Sequence, residues 1–232
     1  MFDILLEELH TTIHEHGGDL IDLPEDFREY ISVKKKAHIV SWLWDVPGYR
    51  RWRVTRLNAG ENLQVLNSVA YPIYSKDKPI MGIDLLWFGK KNKLVAVLDF
   101  QPLIQDKNYF DKYFEELKLL RERFPKFNNQ TDMFVYDPEK YFSPWVLFCK
   151  GGIEEMNGQL NEIFSSFLQI YLNLDKNPNK NSFNLSAQEV QKLQTNYDKY
   201  SAEKDPAHGL FSSFFGKSWS DRFLKEFLFP FS

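Results

Sequence analysis

The run IMGIDLLWFG, residues 80–89, places one carboxylate, Asp84, among otherwise apolar side chains. Burying a lone ionised carboxylate is costly, so such a group becomes neutral, gains a hydrogen-bond partner or serves a function. Because side chains alternate along a strand, Asp84 shares a face with Gly82, Leu86 and Phe88. Asp84 is therefore either a structural group that hydrogen-bonds its neighbours or an acid whose pKa is raised by burial.

One amide and two more acids accompany Asp84. Asn67 lies at the centre of the predicted strand 62–71, so a neighbouring strand would bring its amide close to Asp84. A hydrogen bond between the two is the simplest structural interpretation. Asp205, in KDPAHG, is either a second acid or a turn residue, since aspartate before proline is common in turns. Asp99, in VLDFQP, is a third strand carboxylate and is open to a purely structural interpretation.

Basic residues cluster in two segments. GYRRWRVTRL, residues 48–57, carries Arg50, Arg51, Arg53 and Arg56 on one predicted strand. Such guanidinium groups can bind carboxylates or phosphates in bidentate fashion, but a solvated sheet face has the same pattern. Alternation places Arg51 and Arg53 on one face and Arg50 and Arg56 on the other. The run VKKKAH, residues 33–38, is either a solvated turn or, with the arginines, a docking patch for an acidic protein.

Composition limits the class of protein. The 232 residues are 43% hydrophobic and 16% aromatic, which favours a large packed core, a cleft for a flat ligand, or both. A net charge of −3 argues against a nucleic-acid partner. No apolar run reaches the ~18 residues of a membrane span, and the N-terminus lacks the features of a signal peptide. The single Cys149 excludes an intramolecular disulfide and a Cys-ligated iron–sulfur cluster, so we expect a soluble protein in a reducing compartment.

Known sequence motifs narrow the chemistry further. The five histidines do not form a metal-ligand pattern, so we expect no metal site. No GxGxxG, P-loop, G-x-S-x-G or HExxH motif occurs. The residues alone therefore predict an aromatic cleft with buried acids and a basic rim, which suits a large, flat ligand that carries carboxylates.

The pattern of elements predicts how these residues are positioned. Helical spacing covers residues 2–15, and strand-like runs follow at 37–44, 49–57, 62–71, 81–89 and 93–101. The linkers between these runs are too short for parallel crossovers, so the strands should form an antiparallel meander. Further helices are predicted at 108–124, 153–173, 186–201 and 216–228, with one more strand in 141–152 and a solvated loop at 173–182. We expect one domain over 1–232, a three-layer α/β/α sandwich with a central antiparallel sheet.

Several long segments between residue 42 and residue 229 are distinctive in sequence: WLWDVPGYRRWRVTRL, LNSVAYP, MGIDLLWFG, LDFQPL, YFSPWVLFCKGG, DKYSAEKDPAHGLF and GKSWSDRFLKEFLF. In this order they closely resemble segments of the ferredoxin-dependent bilin reductases. Within the family, SWLWDVPGYRRWRVTRL and DPAHGLF are most similar to members that reduce the 15,16 double bond of biliverdin.

The resemblance implies a reaction as well as a fold. Biliverdin IXα would bind between the sheet and the C-terminal helices, with no bound flavin, metal or other cofactor. Reduced ferredoxin would deliver single electrons, the bilin would become a radical, and the protein would supply protons. The expected reaction is two-electron reduction to 15,16-dihydrobiliverdin in phycoerythrobilin biosynthesis. A next bilin reductase is a further candidate partner, and we expect a monomer in the cytoplasm of a cyanobacterium or virus-infected host, or in an algal plastid.

The resemblance also assigns roles to single residues. Asp84 matches the family's central proton-donating aspartate, and Asp205 matches an aspartate that helps to reduce the A ring in four-electron relatives. Asn67 matches a position where other relatives carry histidine, and an amide cannot act as an acid. The expected bilin contacts are Asn67, Arg51, Arg53, Gly82, Phe88 and Phe211. The expected ferredoxin contacts are Lys34, Lys35, Lys36, Arg50 and Arg56.

Three other functions remain open from the sequence. One is a sibling reaction, in which dihydrobiliverdin is the substrate and its A ring is reduced to give phycoerythrobilin. Another is a bilin carrier without catalysis, and the last is a general acyl or lipid binder.

Overall fold

The computed structural model describes residues 1–129, 141–176, 184–205 and 207–231. Within these residues, eight strands form one antiparallel sheet. The strands are β1 (Asp19–Ile21), β2 (Glu29–Ser32), β3 (Ala37–Val46), β4 (Tyr49–Asn58), β5 (Gln64–Pro72), β6 (Ile80–Phe88), β7 (Lys93–Gln101) and β8 (Leu147–Gly151). The helices are α1 (Asp3–Glu15), α2 (Glu25–Arg28), α3 (Lys107–Tyr113), α4 (Glu115–Arg123), α5 (Ile153–Asn157), α6 (Leu160–Asn173), α7 (Ala187–Lys204), α8 (Ala207–Phe215) and α9 (Lys217–Arg222).

The sheet is the meander that the short linkers predict. Each strand from β3 to β7 pairs with the next one in the chain, and β8 ends the series. The sequence did not reveal β1 and β2, which both pair with the other side of β3. These strands have three and four residues and are mostly exposed, so no alternation of apolar and polar side chains marks them.

One face of the sheet carries the larger hydrophobic core. Strand residues such as Trp52, Leu66 and Phe100 pack there in one cluster with side chains of α1, α3, α4 and α6. The single helix expected at 108–124 is interrupted at Phe114, and the helix expected at 153–173 is interrupted at Gly158.

The opposite face is covered by C-terminal elements, which makes the three-layer α/β/α sandwich that the sequence predicts. A capping box at Ser186, in which Glu189 Oε2 accepts from the Ser186 N–H at 2.8 Å, begins α7 as expected. Residues Phe223–Leu228 form a π-helical turn after α9. In this last segment Trp219 stacks on Phe223 at 4.5 Å between ring centroids, and Phe223 stacks on Phe227 at 5.0 Å.

Part of the predicted 173–182 loop lies outside the described residues, and Leu174–Lys176 form a short 3-10 turn. In the described parts of the chain, no helix combines the length and apolarity that crossing a bilayer requires.

Candidate active site

A cavity of about 650 Å³ lies between the sheet and the C-terminal elements. Strands β4 to β8 form its floor, and side chains of α7, α8 and the segment 228–229 form the opposite wall. The lining is mainly apolar and aromatic. A few polar groups converge in it, which is the usual character of a site for a small organic molecule.

Asp84 projects into this cavity from the centre of β6. It pairs in register with Asn67 of β5, and Asn67 Nδ2 donates a hydrogen bond to Asp84 Oδ1 at 3.0 Å. Burial raises the pKa of Asp84 to about 7, although the hydrogen bond from Asn67 acts in the opposite direction. Asp84 is therefore a carboxyl that can hold a proton near neutral pH, and Gly82, Leu86 and Phe88 line the cavity with it, as alternation predicts.

Asp205 reaches the cavity from the boundary of α7 and α8. Its Oδ1 accepts a hydrogen bond from the Ala207 N–H at 2.8 Å, so the side chain also serves as the turn residue that the sequence allows. Burial raises its pKa, whereas the bond from Ala207 and the charge of Arg53 lower it. The charge of Asp205 in turn raises the pKa of Asp84.

Arg53 lies beside these groups in the cavity lining and is 2% exposed. Its Nη1 donates to Asn67 Oδ1 at 2.6 Å, and its Nε donates to the carbonyl oxygen of Leu228 at 3.1 Å. Arg51 donates from Nη2 to the carbonyl oxygen of Phe227 at 2.5 Å and is not part of the cavity lining. Both guanidinium groups thus anchor the C-terminal segment to β4.

The prediction that Arg50 shares a sheet face with Arg56 is wrong. The β4 register shifts between Tyr49 and Arg51, so the alternation counted from the middle of the strand fails there. Arg50 donates from Nε to Gln194 Oε1 at 2.5 Å, and its guanidinium lies over the rings of Tyr71 and Phe231, each at 4.4 Å. It therefore packs against α7 and the C-terminal segment.

The remaining basic residues differ in exposure. Arg56 lies on the sheet face that carries the larger hydrophobic core, as alternation predicts. It is only 7% exposed, and it donates to Gln64 Oε1 and the carbonyl oxygen of Leu57. Its burial argues against the expected contact with ferredoxin. Lys34, Lys35 and Lys36 are all exposed in the turn between β2 and β3.

The space next to Gly82 is already in use. A Cβ atom at Gly82 would lie 2.9 Å from Gln101 Cδ. The absence of a side chain at Gly82 therefore makes room for the Gln101 side chain. Gln101 also lines the cavity, and Phe211 lines it from α8. Sequence reasoning overlooked Gln101, although it follows Val97 and Asp99 on the same face of β7.

Asp99 has the structural role that the sequence left open. It is fully buried, accepts from the Ser143 hydroxyl at 2.6 Å and accepts from the Ser143 N–H at 2.8 Å. Burial raises its pKa to about 7. Asp99 thus fixes the segment whose Tyr141 and Phe142 line the cavity.

Several other wall residues were also missed by the sequence reasoning. They sit far along the chain from the sheet and carry no motif of their own: Tyr197, Tyr200, Ser201, Leu228 and Phe229. Across the described ranges, no group of three histidine, cysteine or acidic side chains is arranged to hold a metal ion.

Comparison with known proteins identifies the family. The model of the ferredoxin-dependent bilin reductases matches residues 6–230. A protein of Prochlorococcus marinus (strain NATL1A) named 15,16-dihydrobiliverdin:ferredoxin oxidoreductase is 60% identical over 100% of this chain and 98% of its own length. Proteins of the same name from Prochlorococcus marinus (strain MIT 9303) and Synechococcus sp. (strain CC9902) are 57% and 56% identical over 99% of this chain, and over 92% and 98% of their own lengths.

A solved structure shares the fold. Tomato phytochromobilin synthase in complex with biliverdin superposes with a TM-score of 0.77 at 20% identity, over 97% of this chain and 83% of that one. The chain belongs to the ferredoxin-dependent bilin reductases, and ferredoxin is its electron donor.

Proposed function

We propose that this chain reduces biliverdin IXα by two electrons at the 15,16 double bond to give 15,16-dihydrobiliverdin, a step toward phycoerythrobilin. The names of the most similar relatives support the reaction, and the biliverdin held by the tomato enzyme supports the substrate. The observation that carries the proposal is Asp84, a carboxyl with a pKa of about 7 at the centre of an apolar cavity.

The reaction consumes two electrons and two protons. Two reduced ferredoxins give one electron each, and the bilin accepts them directly with no resident flavin or metal. Each added electron makes the tetrapyrrole more basic, so an adjacent acid can protonate it. Asp84 gives one of the two protons, and the other comes from solvent water. The carboxylate that remains on Asp84 keeps the hydrogen bond from Asn67 Nδ2 at 3.0 Å.

Asp205 has a secondary role in this proposal. It lines the cavity and its charge acts on Asp84, so it affects how readily Asp84 holds its proton. In addition, it orients the bilin at the helical wall. Gly82, Phe88 and Phe211 contact the flat ring system, for which the apolar lining is suited.

Ferredoxin docking is assigned to Lys34, Lys35 and Lys36. These exposed ammonium groups suit an acidic electron-transfer protein, since such encounters are small and steered by charge. We further propose that the enzyme works as a cytoplasmic monomer and passes its product to a second bilin reductase.

Product identification tests the proposed reaction. Anaerobic turnover of biliverdin IXα with reduced ferredoxin should shift the bilin absorbance to shorter wavelength and give 15,16-dihydrobiliverdin on chromatography. Dihydrobiliverdin consumption with A-ring reduction would assign the sibling reaction instead. Tight biliverdin binding without any product would indicate a bilin carrier. If biliverdin does not bind at all, the alternative of an acyl or lipid binder would be favoured instead.

A further inference from the structure

Arg53 forms the buried end of a hydrogen-bonded chain that leads to Asp84. Its Nη1 lies 2.6 Å from Asn67 Oδ1, and Asn67 Nδ2 lies 3.0 Å from Asp84 Oδ1. The Nε group is held at the same time by the carbonyl oxygen of Leu228 at 3.1 Å. With 2% exposure, the guanidinium has little freedom to move away from these partners.

The hydrogen-bonding chemistry of Arg53 and Asp84 permits only one orientation of the Asn67 side-chain amide. A guanidinium has only hydrogen-bond donors, so it requires the oxygen of Asn67 on its side. The amide NH₂ of Asn67 must then face Asp84, where it donates to Oδ1. In the described residues, Oδ2 of Asp84 accepts no hydrogen bond from a side chain, while the carboxyl itself lines the cavity.

We propose that Arg53 is a positioning residue, which fixes the Asn67 amide so that Asp84 keeps Oδ1 as an acceptor and carries its acidic proton on Oδ2, toward the bilin. This inference rests on the proposed function for the identity of the proton acceptor. It differs from the expectation that Arg53 contacts the bilin directly, because two of its N–H groups already donate to Asn67 and Leu228 inside the protein.

The charge of Arg53 acts in the same place. It lowers the pKa of Asp84 and of Asp205, against the larger effect of burial. The cation therefore favours the carboxylate that remains after Asp84 gives its proton. The other titratable groups that line the cavity are Tyr141, Tyr197, Tyr200 and Lys150.

The experiment follows the protonation of Asp84 in the ligand-free protein by infrared spectroscopy. The carboxylic C=O band is assigned by its loss in Asp84→Asn. The Arg53→Gln variant should raise the titration midpoint by about one pH unit or more, because it removes a cation and releases the amide. Arg51→Gln is the matched control, since Arg51 donates to the neighbouring carbonyl of Phe227 and makes no bond to Asn67. An unchanged midpoint in Arg53→Gln, or an equal shift in Arg51→Gln, overturns the proposal.

A second comparison separates orientation from charge. In an Asn67→Leu background there is no amide to orient, so Arg53→Gln should shift the midpoint less than it does in the wild type. Equal shifts in both backgrounds would mean that Arg53 acts through its charge alone. Arg53→Lys keeps the charge and serves if Arg53→Gln does not fold. Its Nζ is a single donor centre that cannot hold Asn67 and Leu228 in one planar fork, so it should still shift the midpoint, and a wild-type midpoint would contradict the inference.

Turnover gives an independent measurement. If Arg53 is a positioning residue, Arg53→Lys should lower kcat by roughly tenfold or more with little change in biliverdin affinity, whereas loss of a direct bilin contact would mainly weaken binding. Because the infrared titration needs neither bilin nor ferredoxin, it can succeed or fail independently of the proposed reaction.

Discussion

Asp84 and Asp205 face the same cavity from opposite walls, one from strand β6 and the other from the boundary of helices α7 and α8. The charge of Asp205 is among the causes that raise the pKa of Asp84. The pKa of Asp84, on the sheet, therefore depends also on a residue of the helical layer. Substitutions at Asp84 and at Asp205 test the two contributions separately.

Replacement of Asp84 removes the acid and keeps the shape of the site. Asp84→Asn should bind biliverdin and accept an electron, but product formation should fall by roughly 10²-fold or more because no proton donor remains at this position. Anaerobic single-turnover absorbance would then show an accumulated radical intermediate. Asp99→Asn is a useful comparison, since that carboxyl is buried against Ser143 and its replacement should affect stability more than turnover. Wild-type turnover in Asp84→Asn would refute the assignment of the acid.

The pKa of Asp84 also makes a prediction about stability. Its value of about 7 lies above the ordinary 3.8, so between these pH values the folded protein binds more protons than the unfolded chain. The contribution of Asp84 to the free energy of unfolding is complete below about pH 4 and is lost as pH rises through about 7. Asp84→Asn should therefore gain stability relative to wild type as pH rises, as measured by urea unfolding from pH 4 to 8. A constant difference over that range would contradict the raised pKa.

Asp205 accepts a hydrogen bond from Ala207, and its charge raises the pKa of Asp84. Two substitutions separate these two effects. Asp205→Asn keeps an oxygen that can accept from the Ala207 N–H and removes the charge that raises the pKa of Asp84. The pH at which kcat declines should therefore move to lower pH. Asp205→Ala should show the same displacement and lose about 1 kcal/mol of stability through the missing acceptor. An unchanged pH profile in both variants would show that the two acids act independently.

The bonds between Asp99 and Ser143 should be important for stability. Ser143→Ala removes the hydroxyl that donates to Asp99 at 2.6 Å and leaves a buried carboxyl oxygen without that partner. We expect a loss of about 1–3 kcal/mol in the free energy of unfolding by denaturant titration. Ser165→Ala is the control, because its hydroxyl bonds to Asn161 on an exposed helix surface. A loss no larger than in this control would contradict the role of Ser143.

The proposed ferredoxin surface can be tested by charge reversal. The double variant Lys34→Glu and Lys35→Glu should raise the KM for ferredoxin about tenfold at low salt and weaken its dependence on ionic strength. Lys36 is best left unchanged, since its φ of 49° is left-handed and a substitution there also alters the turn. Reversal of Lys90 and Lys91, exposed in another turn, is the control. Equal effects of the two pairs would remove the assignment.

Local pattern was enough to predict the sheet and the centre of the site. Alternation and short linkers place Asn67 and Asp84 on one face of adjacent strands, and the register pairs them directly. The same rule failed for Arg50, because a one-residue register shift in β4 is not visible in the spacing of apolar residues. Tyr197 and Phe229 could not be assigned, since they reach the cavity through packing of distant segments and no local period encodes it.

The anchoring of the C-terminal segment has a consequence for how the molecule assembles. The bonds from Arg51 to Phe227 and from Arg53 to Leu228 join residues 176 and 175 positions apart. Contacts between residues so far apart in the chain need a long loop to close, which local contacts do not. Until this segment docks on β4, the cavity lacks the wall that Leu228 and Phe229 provide. Biliverdin binding should therefore report only on chains whose C-terminal segment is docked.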